Sequence, residues 1–224
     1  FLIIILFNFA QYAFSDVEKY KNLDKLEFDI YRNDNLIGYH NFDFIRDNGN
    51  LMVKSKINFE IKKLGILLYS YNVIGTEYYA DNKFVKFESK TQQNKKNKFC
   101  NIILQDNEYF INGSSYKGTP PNSFMLGTWW NHEITKRKSQ ISAISGRIIE
   151  QKVNFLYEDK IQFKKQDFIA LHYKFLSTDS KLSKNKRLNT DVWYDKDTLI
   201  WIKASFNKQG KWEYRLRNML ISEK

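Results

Sequence analysis

The stretch Leu51-Met52-Val53-Lys54-Ser55-Lys56-Ile57-Asn58-Phe59-Glu60-Ile61 decides the fold. Its odd positions are apolar except Ser55, and its even positions are polar except Met52. Side chains along a strand alternate between two faces, so this period of two describes a strand with one buried face. The alternation returns at Leu26, Phe28 and Ile30, at Ile169, Leu171, Tyr173 and Phe175, at Ile200, Ile202 and Phe206, and at Trp212, Tyr214 and Leu216. Short polar turns separate these runs: Asn33-Asp34-Asn35, Asp47-Asn48-Gly49-Asn50, Asp81-Asn82-Lys83, Asp195-Lys196-Asp197 and Asn207-Lys208-Gln209-Gly210. Asn, Asp and Gly accept the left-handed backbone that tight hairpins require. Loops this short make neighbours in sequence neighbours in space. About ten to twelve strands of this kind would leave long exposed edges in one flat sheet. The expected architecture is therefore all-β: an antiparallel meander, closed into a barrel or strongly curled into a half-barrel.

One stretch interrupts the pattern. From Asn112 to Arg147 the chain is rich in Gly and Ser and contains Thr119-Pro120-Pro121-Asn122-Ser123, yet Phe124, Met125, Leu126, Trp129 and Trp130 call for burial. It reads as a long insertion over the barrel, with a short helix near Phe124. Nothing marks a second domain, so residues 16–224 are expected to form one β-barrel-like domain.

Composition narrows the classes of function. Aromatic residues make up 17% of the 224-residue chain, in keeping with strands. A single cysteine, Cys100, excludes a disulfide framework and a cysteine-based zinc cluster. It sits in Phe99-Cys100-Asn101-Ile102, a strand interior, where it acts as a small core hydrophobe. The formal net charge of +11 invites nucleic acid. However, the basic residues are 29 Lys against 7 Arg, beside 22 Asn and 23 Ile, the bias of an AT-rich coding sequence. Arginine, whose planar fork grips phosphate and guanine, is the residue nucleic-acid readers favour. The basic clusters Lys95-Lys96-Asn97-Lys98 and Lys136-Arg137-Lys138 fall in turns, so no nucleic-acid partner is expected.

The opening segment reads as an export signal. Phe1 to Ser15 is uncharged and begins Phe1-Leu2-Ile3-Ile4-Ile5-Leu6-Phe7, then reaches small residues at Ala13 and Ser15 before the charged Asp16-Val17-Glu18-Lys19. Small residues three and one positions before the cut suit signal peptidase, which places cleavage after Ser15. The run is shorter than the roughly 20 apolar residues of a membrane span. No initiator Met or basic leader precedes it, so residues 1–15 are read as a signal peptide truncated at its N-terminus. No lipidatable cysteine follows. A periplasmic protein, not integral to the membrane once processed, is expected.

Several phrases carry a family resemblance. Gly75-Thr76-Glu77-Tyr78-Tyr79 leads into Phe84-Val85-Lys86-Phe87-Glu88-Ser89-Lys90-Thr91. A Pro-containing approach then reaches Trp130-Asn131, followed by Ser145-Gly146-Arg147-Ile148-Ile149. Asp191-Val192-Trp193-Tyr194-Asp195 comes next, with a turn ending in Gly210 and then Glu213-Tyr214-Arg215-Leu216. In this order the phrases resemble an uncharacterised family of exported bacterial proteins, number 6134 in the domain-of-unknown-function series. The family pattern has Ser-Tyr-Trp-Asn where this chain has Gly127-Thr128-Trp129-Trp130-Asn131, and Gly where Asn82 and Thr198 stand. The resemblance implies export and a β architecture, and carries no activity with it.

No catalytic signature is present. The chain lacks a G-x-S-x-G elbow, a phosphate-cradling glycine loop and an H-E-x-x-H pair. His40, His132 and His172 are far apart in sequence, so neither an enzyme nor a metal or other cofactor is expected. Strand phase singles out five polar groups. His40 shares the phase of Phe42 and Phe44, and Ser55 that of Val53 and Ile57. Glu77 shares the phase of Tyr71 and Val73, and Ser89 and Thr91 that of Val85 and Phe87. On an apolar face they form either a polar patch in a ligand cavity or a satisfied internal network. The first alternative makes the protein a carrier of a lipid or other amphiphile of the cell envelope, with Trp129, Trp130 and Asn131 as covering loop residues. The second leaves a filled core, and a scaffold that meets an envelope protein through an exposed patch at Trp129 and Trp130.

Overall fold

The computed structural model describes residues 17–163, 166–183 and 186–223; the expected signal peptide lies outside the described residues. Among them no helix is long and apolar enough to cross a membrane.

The first run of strands is β1 (Leu23–Arg32), β2 (Asn35–Asp47), β3 (Asn50–Lys63), β4 (Ile66–Ala80), β5 (Lys83–Gln93), β6 (Lys96–Gln105) and β7 (Glu108–Gly113). Three very short strands follow: β8 (Lys117–Gly118), β9 (Phe124–Leu126) and β10 (Ser139–Ile141). The last run is β11 (Ile148–Phe163), β12 (Gln166–Ser177), β13 (Asn189–Asp195), β14 (Trp201–Asn207) and β15 (Lys211–Ile221). All belong to one 15-stranded sheet ordered β8-β7-β6-β5-β4-β3-β2-β1-β15-β14-β13-β12-β11-β10-β9. The sheet is strongly curled and open, the half-barrel form of the expected architecture. The strand number exceeds the expected ten to twelve because strands of two or three residues leave no readable period. Pairing is antiparallel except that β10 lies parallel to β9, inside the insertion.

The turns follow their chemistry. Asn33 and Asp34, Asn48, Asp81 and Asn82, and Asp106 and Asn107 all carry positive φ, the left-handed geometry that closes two-residue hairpins. β1 and β15 join the two runs, with Ile30 opposite Tyr214 and Asp29 opposite Arg215. The central strand β1 buries Leu26, Phe28 and Ile30 completely.

The insertion fills the curl. Its helical turn is a 3-10 segment at His132–Lys136, not near Phe124, which is strand β9. The Asn131 side chain accepts from the Glu133 backbone N–H and so caps that turn, fixing where it begins. Trp130 is completely buried, edge-on to Tyr20 at 5.3 Å, Phe44 at 5.2 Å and Tyr79 at 6.0 Å. A second part of the insertion, between β10 and β11, presses on β5–β7. A Cβ on Gly113 would stand 2.5 Å from the Ser145 carbonyl oxygen, so only glycine admits this approach. Gly146, at φ +75°, lies against Gly113 and the Cys100 sulfur. The Ser145-Gly146 phrase thus packs against the free end of the first run.

Candidate functional site

The five polar groups do lie on the filled face, but the structure does not gather them around one space. Register puts Phe42, Ser55, Gly75, Ser89 and Cys100 in one row across β2 to β6. His40, Ile57, Val73 and Thr91 form the next row, and Phe44, Val53, Glu77 and Phe87 the row on the other side. In the middle row the Phe87 ring closes over Gly75, where a Cβ would stand 3.2 Å from it. The insertion meets the row at Ser89, whose Oγ donates to the Ala143 carbonyl oxygen.

Glu77 is held by the covering loop. The Tyr79 hydroxyl donates to Oε2 at 2.6 Å and the Trp130 indole N–H to Oε1 at 2.9 Å. Burial pushes its carboxyl above the ordinary value, while bonds from Tyr79, Trp130 and Thr128 pull the other way. At Glu77 the carboxyl is therefore satisfied within the protein. Trp129 adopts φ +61°, uncommon for a bulky residue, and is fixed by the Tyr194 hydroxyl on its carbonyl at 2.9 Å and by Trp201 edge-on at 6.0 Å. With Trp130 buried and Trp129 half-buried, no exposed patch exists at the position the scaffold alternative required.

His40 is enclosed by rings. Phe42 lies 4.2 Å from it and Trp201, Tyr214 and Phe28 lie between 5.8 and 6.5 Å. Burial drives its pKa down to about 3, so it is neutral across the physiological range, and its Nδ1 has no partner. Thr91 Oγ1 is likewise buried without a partner, and Ser55 contacts only the Gly75 carbonyl at 3.5 Å.

His132 and Glu133, adjacent in the loop, point into different surroundings. His132 Nε2 meets the Tyr173 hydroxyl at 3.1 Å, and burial, with Lys19 nearby, lowers its pKa to about 4. Glu133 pairs with Lys19 at 3.1 Å and Lys136 at 2.9 Å. Burial raises its carboxyl, but these two ammonium groups outweigh burial and hold it below its ordinary value. Cys100 is buried, and burial pushes its thiol up to about 12, which makes it inert. Among the described residues no three His, Cys, Asp or Glu side chains gather as metal ligands do.

An open space lies elsewhere. A cleft of about 390 Å³ is bounded by the end of β11, the start of β12, and β14 and β15. Ile161, Phe163, Phe168, Ile202 and Leu216 give it apolar walls, and Lys160, Lys203 and Arg215 bring three cations. Its two carboxylates are already engaged. Asp159 accepts from the Trp193 indole at 3.2 Å. Glu213 pairs with Lys211 at 2.7 Å and with Arg215; burial raises its carboxyl, yet these partners hold it below its ordinary value. Lys160 and Lys203 form no ion pair among the described residues, and Lys203 stands over the Trp193 ring at 4.7 Å. A register shift after Trp193 lets Ile202 and Lys203 both face this space. None of the residues singled out by strand phase lines it. The lining comes from two hairpins of the last run, β11–β12 and β14–β15, with β13 between them, and only the trace of Lys203 and Arg215 among apolar alternation could have hinted at it.

Fold and site together define an open, strongly curled β-barrel-like domain with an apolar, cation-rimmed cleft. The family model for a domain of unknown function, DUF6134, matches residues 28–217, and the chain belongs to that family. Its fold is similar to the β-barrel-like protein of domain of unknown function DUF1849 from Brucella abortus: TM-score 0.62, 10% identity, covering 90% of this chain and 98% of that one. A DUF1329 family protein from Desulfovibrio piger aligns over 92% of this chain and 89% of that one with a TM-score of 0.27 and 9% identity. No curated protein matches the chain.

Proposed function

We propose that this protein is exported to the periplasm and there binds or carries an amphiphilic ligand of the cell envelope, without catalysing a reaction on it. The observation that carries the reading is the cleft: about 390 Å³, a size that suits a small ligand or one acyl chain, with apolar walls and, beside them, two lysines that form no ion pair among the described residues. Apolar walls favour a hydrocarbon segment, and Lys160 and Lys203 favour an anionic head group. The uncharged opening segment Phe1 to Ser15 supports export. The polar patch at His40, Ser55, Glu77, Ser89 and Thr91 serves as internal support for the walls, with Trp130 and Asn131 holding the insertion in place.

The test uses a fluorescent phosphatidic acid analogue and measures its anisotropy on titration with protein. The Lys160→Ala/Lys203→Ala variant should bind about ten-fold more weakly or worse, the scale of one or two lost charge-assisted hydrogen bonds. His40→Phe should bind like the parent. Equal affinity of the double variant and the parent would remove the cleft from the account.

A further inference from the structure

The β3–β4 hairpin ends in a feature that the cleft does not use. Residues 62–68, Lys62-Lys63-Leu64-Gly65-Ile66-Leu67-Leu68, are all exposed. Leu64 shows 94% of its surface, and Ile66, Leu67 and Leu68 each at least half of theirs. Leu64 and Gly65 sit at φ +50° and +78°, a tight turn that thrusts the leucine outward at the apex. The neighbours do not cover it. Pairing of β3 with β2 stops at Phe59, and pairing of β4 with β5 stops at Tyr71, so in the ladders 61–63 and 66–69 pair only with each other. A two-residue turn ordinarily takes Asn or Gly, as the other hairpins here do. Here Leu64 precedes Gly65 in the turn and Ile66, Leu67 and Leu68 follow it in β4, and four exposed aliphatics together cost solubility.

The charge around this tip names its partner. In an antiparallel meander the turns after β1, β3, β5 and β14 lie at one end of the sheet, so Leu64-Gly65 shares its end with Asn94-Lys95 and with 207–210. Ser70, at the hairpin base, exchanges hydrogen bonds with Asn94. Lys63, Lys95, Lys96 and Lys208, on these turns, form no ion pair among the described residues. Lys62 is held by Glu60 at 2.7 Å.

The geometry points to the β3–β4 tip as a membrane-docking element, which inserts Leu64, Ile66 and Leu67 among the lipids of an anionic bilayer while the surrounding lysines meet the head groups. An apolar wedge with a cationic collar is the arrangement that binds the membrane interface without spanning it. A protein partner would have to supply both an apolar socket and an acidic rim, and a second copy of this chain presents the same positive end and would be repelled. The inference stands independently of the cleft, because the tip shares no residue with it.

The experiment is flotation of the full chain with phosphatidylglycerol vesicles and, in parallel, phosphatidylcholine vesicles. The parent should float with the anionic vesicles and release as salt is raised, and the Leu64→Ser/Ile66→Ser/Leu67→Ser variant should partition about ten-fold less or worse. A local readout guards against a folding defect or binding through the apolar opening segment. A Leu64→Cys variant carrying an environment-sensitive fluorophore, with Cys100 buried and unreactive, should shift to the blue and be quenched by brominated lipid. No blue shift at position 64, or unchanged flotation of the triple variant, overturns the inference. So does a dimer in sedimentation that the triple substitution dissociates. The fluorescent phosphatidic acid titration with the Lys160→Ala/Lys203→Ala variant reports on the cleft separately, so failure of one reading leaves the other intact.

Discussion

The face under the insertion and the cleft beside β14 and β15 use similar residues for opposite ends. Both place polar groups among rings and aliphatics. Under the insertion, Glu77 takes two donors at 2.6 and 2.9 Å and Ser89 donates to Ala143, so the polar groups are consumed by the protein itself. In the cleft, Asp159 and Glu213 are consumed in the same way, but Lys160 and Lys203 form no ion pair among the described residues and stand beside about 390 Å³ of space. A polar side chain therefore marks function only when it is free of a protein partner and there is room for a ligand beside it. His40 and Thr91 have buried unpartnered atoms without such room, whereas the exposed Lys160 and half-buried Lys203 border open space and form no ion pair among the described residues.

The comparison can be broken at its strongest point first. Trp130→Ala would empty the centre of the insertion and remove one donor from the buried Glu77 carboxyl, and should cost about 3–5 kcal/mol in a denaturant titration. A loss under about 1 kcal/mol would mean that the insertion is not part of the core. His40 gives a pH-dependent effect. Its folded pKa of about 3 lies below the ordinary 6.5, so the stability it confers is fully present above 6.5 and is lost as pH falls toward 3. Between about pH 7.5 and 4.5 the parent should lose about 2–3 kcal/mol that His40→Phe keeps. Glu77, raised by burial, acts with the opposite sign in both proteins and cancels from the difference. Parallel pH curves for the two proteins would contradict the burial of His40. Next in size, Gly113→Ala drives a methyl group into the Ser145 carbonyl and should cost about 1–3 kcal/mol, seen as a lowered melting temperature. On the cleft side, Lys160→Ala/Lys203→Ala should leave stability within about 0.5 kcal/mol of the parent while weakening ligand. A large stability loss there would make the cleft another satisfied network.

Much of this was legible in the chain. The alternation from Leu51 to Ile61 is strand β3, and the Asn and Asp turns close hairpins at positive φ. The phase argument placed Glu77, Ser89, Thr91 and His40 on the buried face, where they are. Three things escaped. β8, β9 and β10 are too short to show a period, and their pairing is settled by how the insertion packs. The helical turn lies at His132–Lys136 because Asn131 caps it, a local signal that the apolar run at Phe124 obscured. The cleft depends on a register shift in β14 and on the meeting of the β11–β12 and β14–β15 hairpins, which no one-dimensional pattern encodes.

The central claim is that the cleft holds an amphiphile, and native mass spectrometry of protein purified gently from a bacterial periplasm tests it most directly. The account predicts an added mass that organic solvent removes and that the Lys160→Ala/Lys203→Ala variant carries much less of. A clean apo mass for the parent, with no shift in melting temperature across a lipid panel, would contradict it.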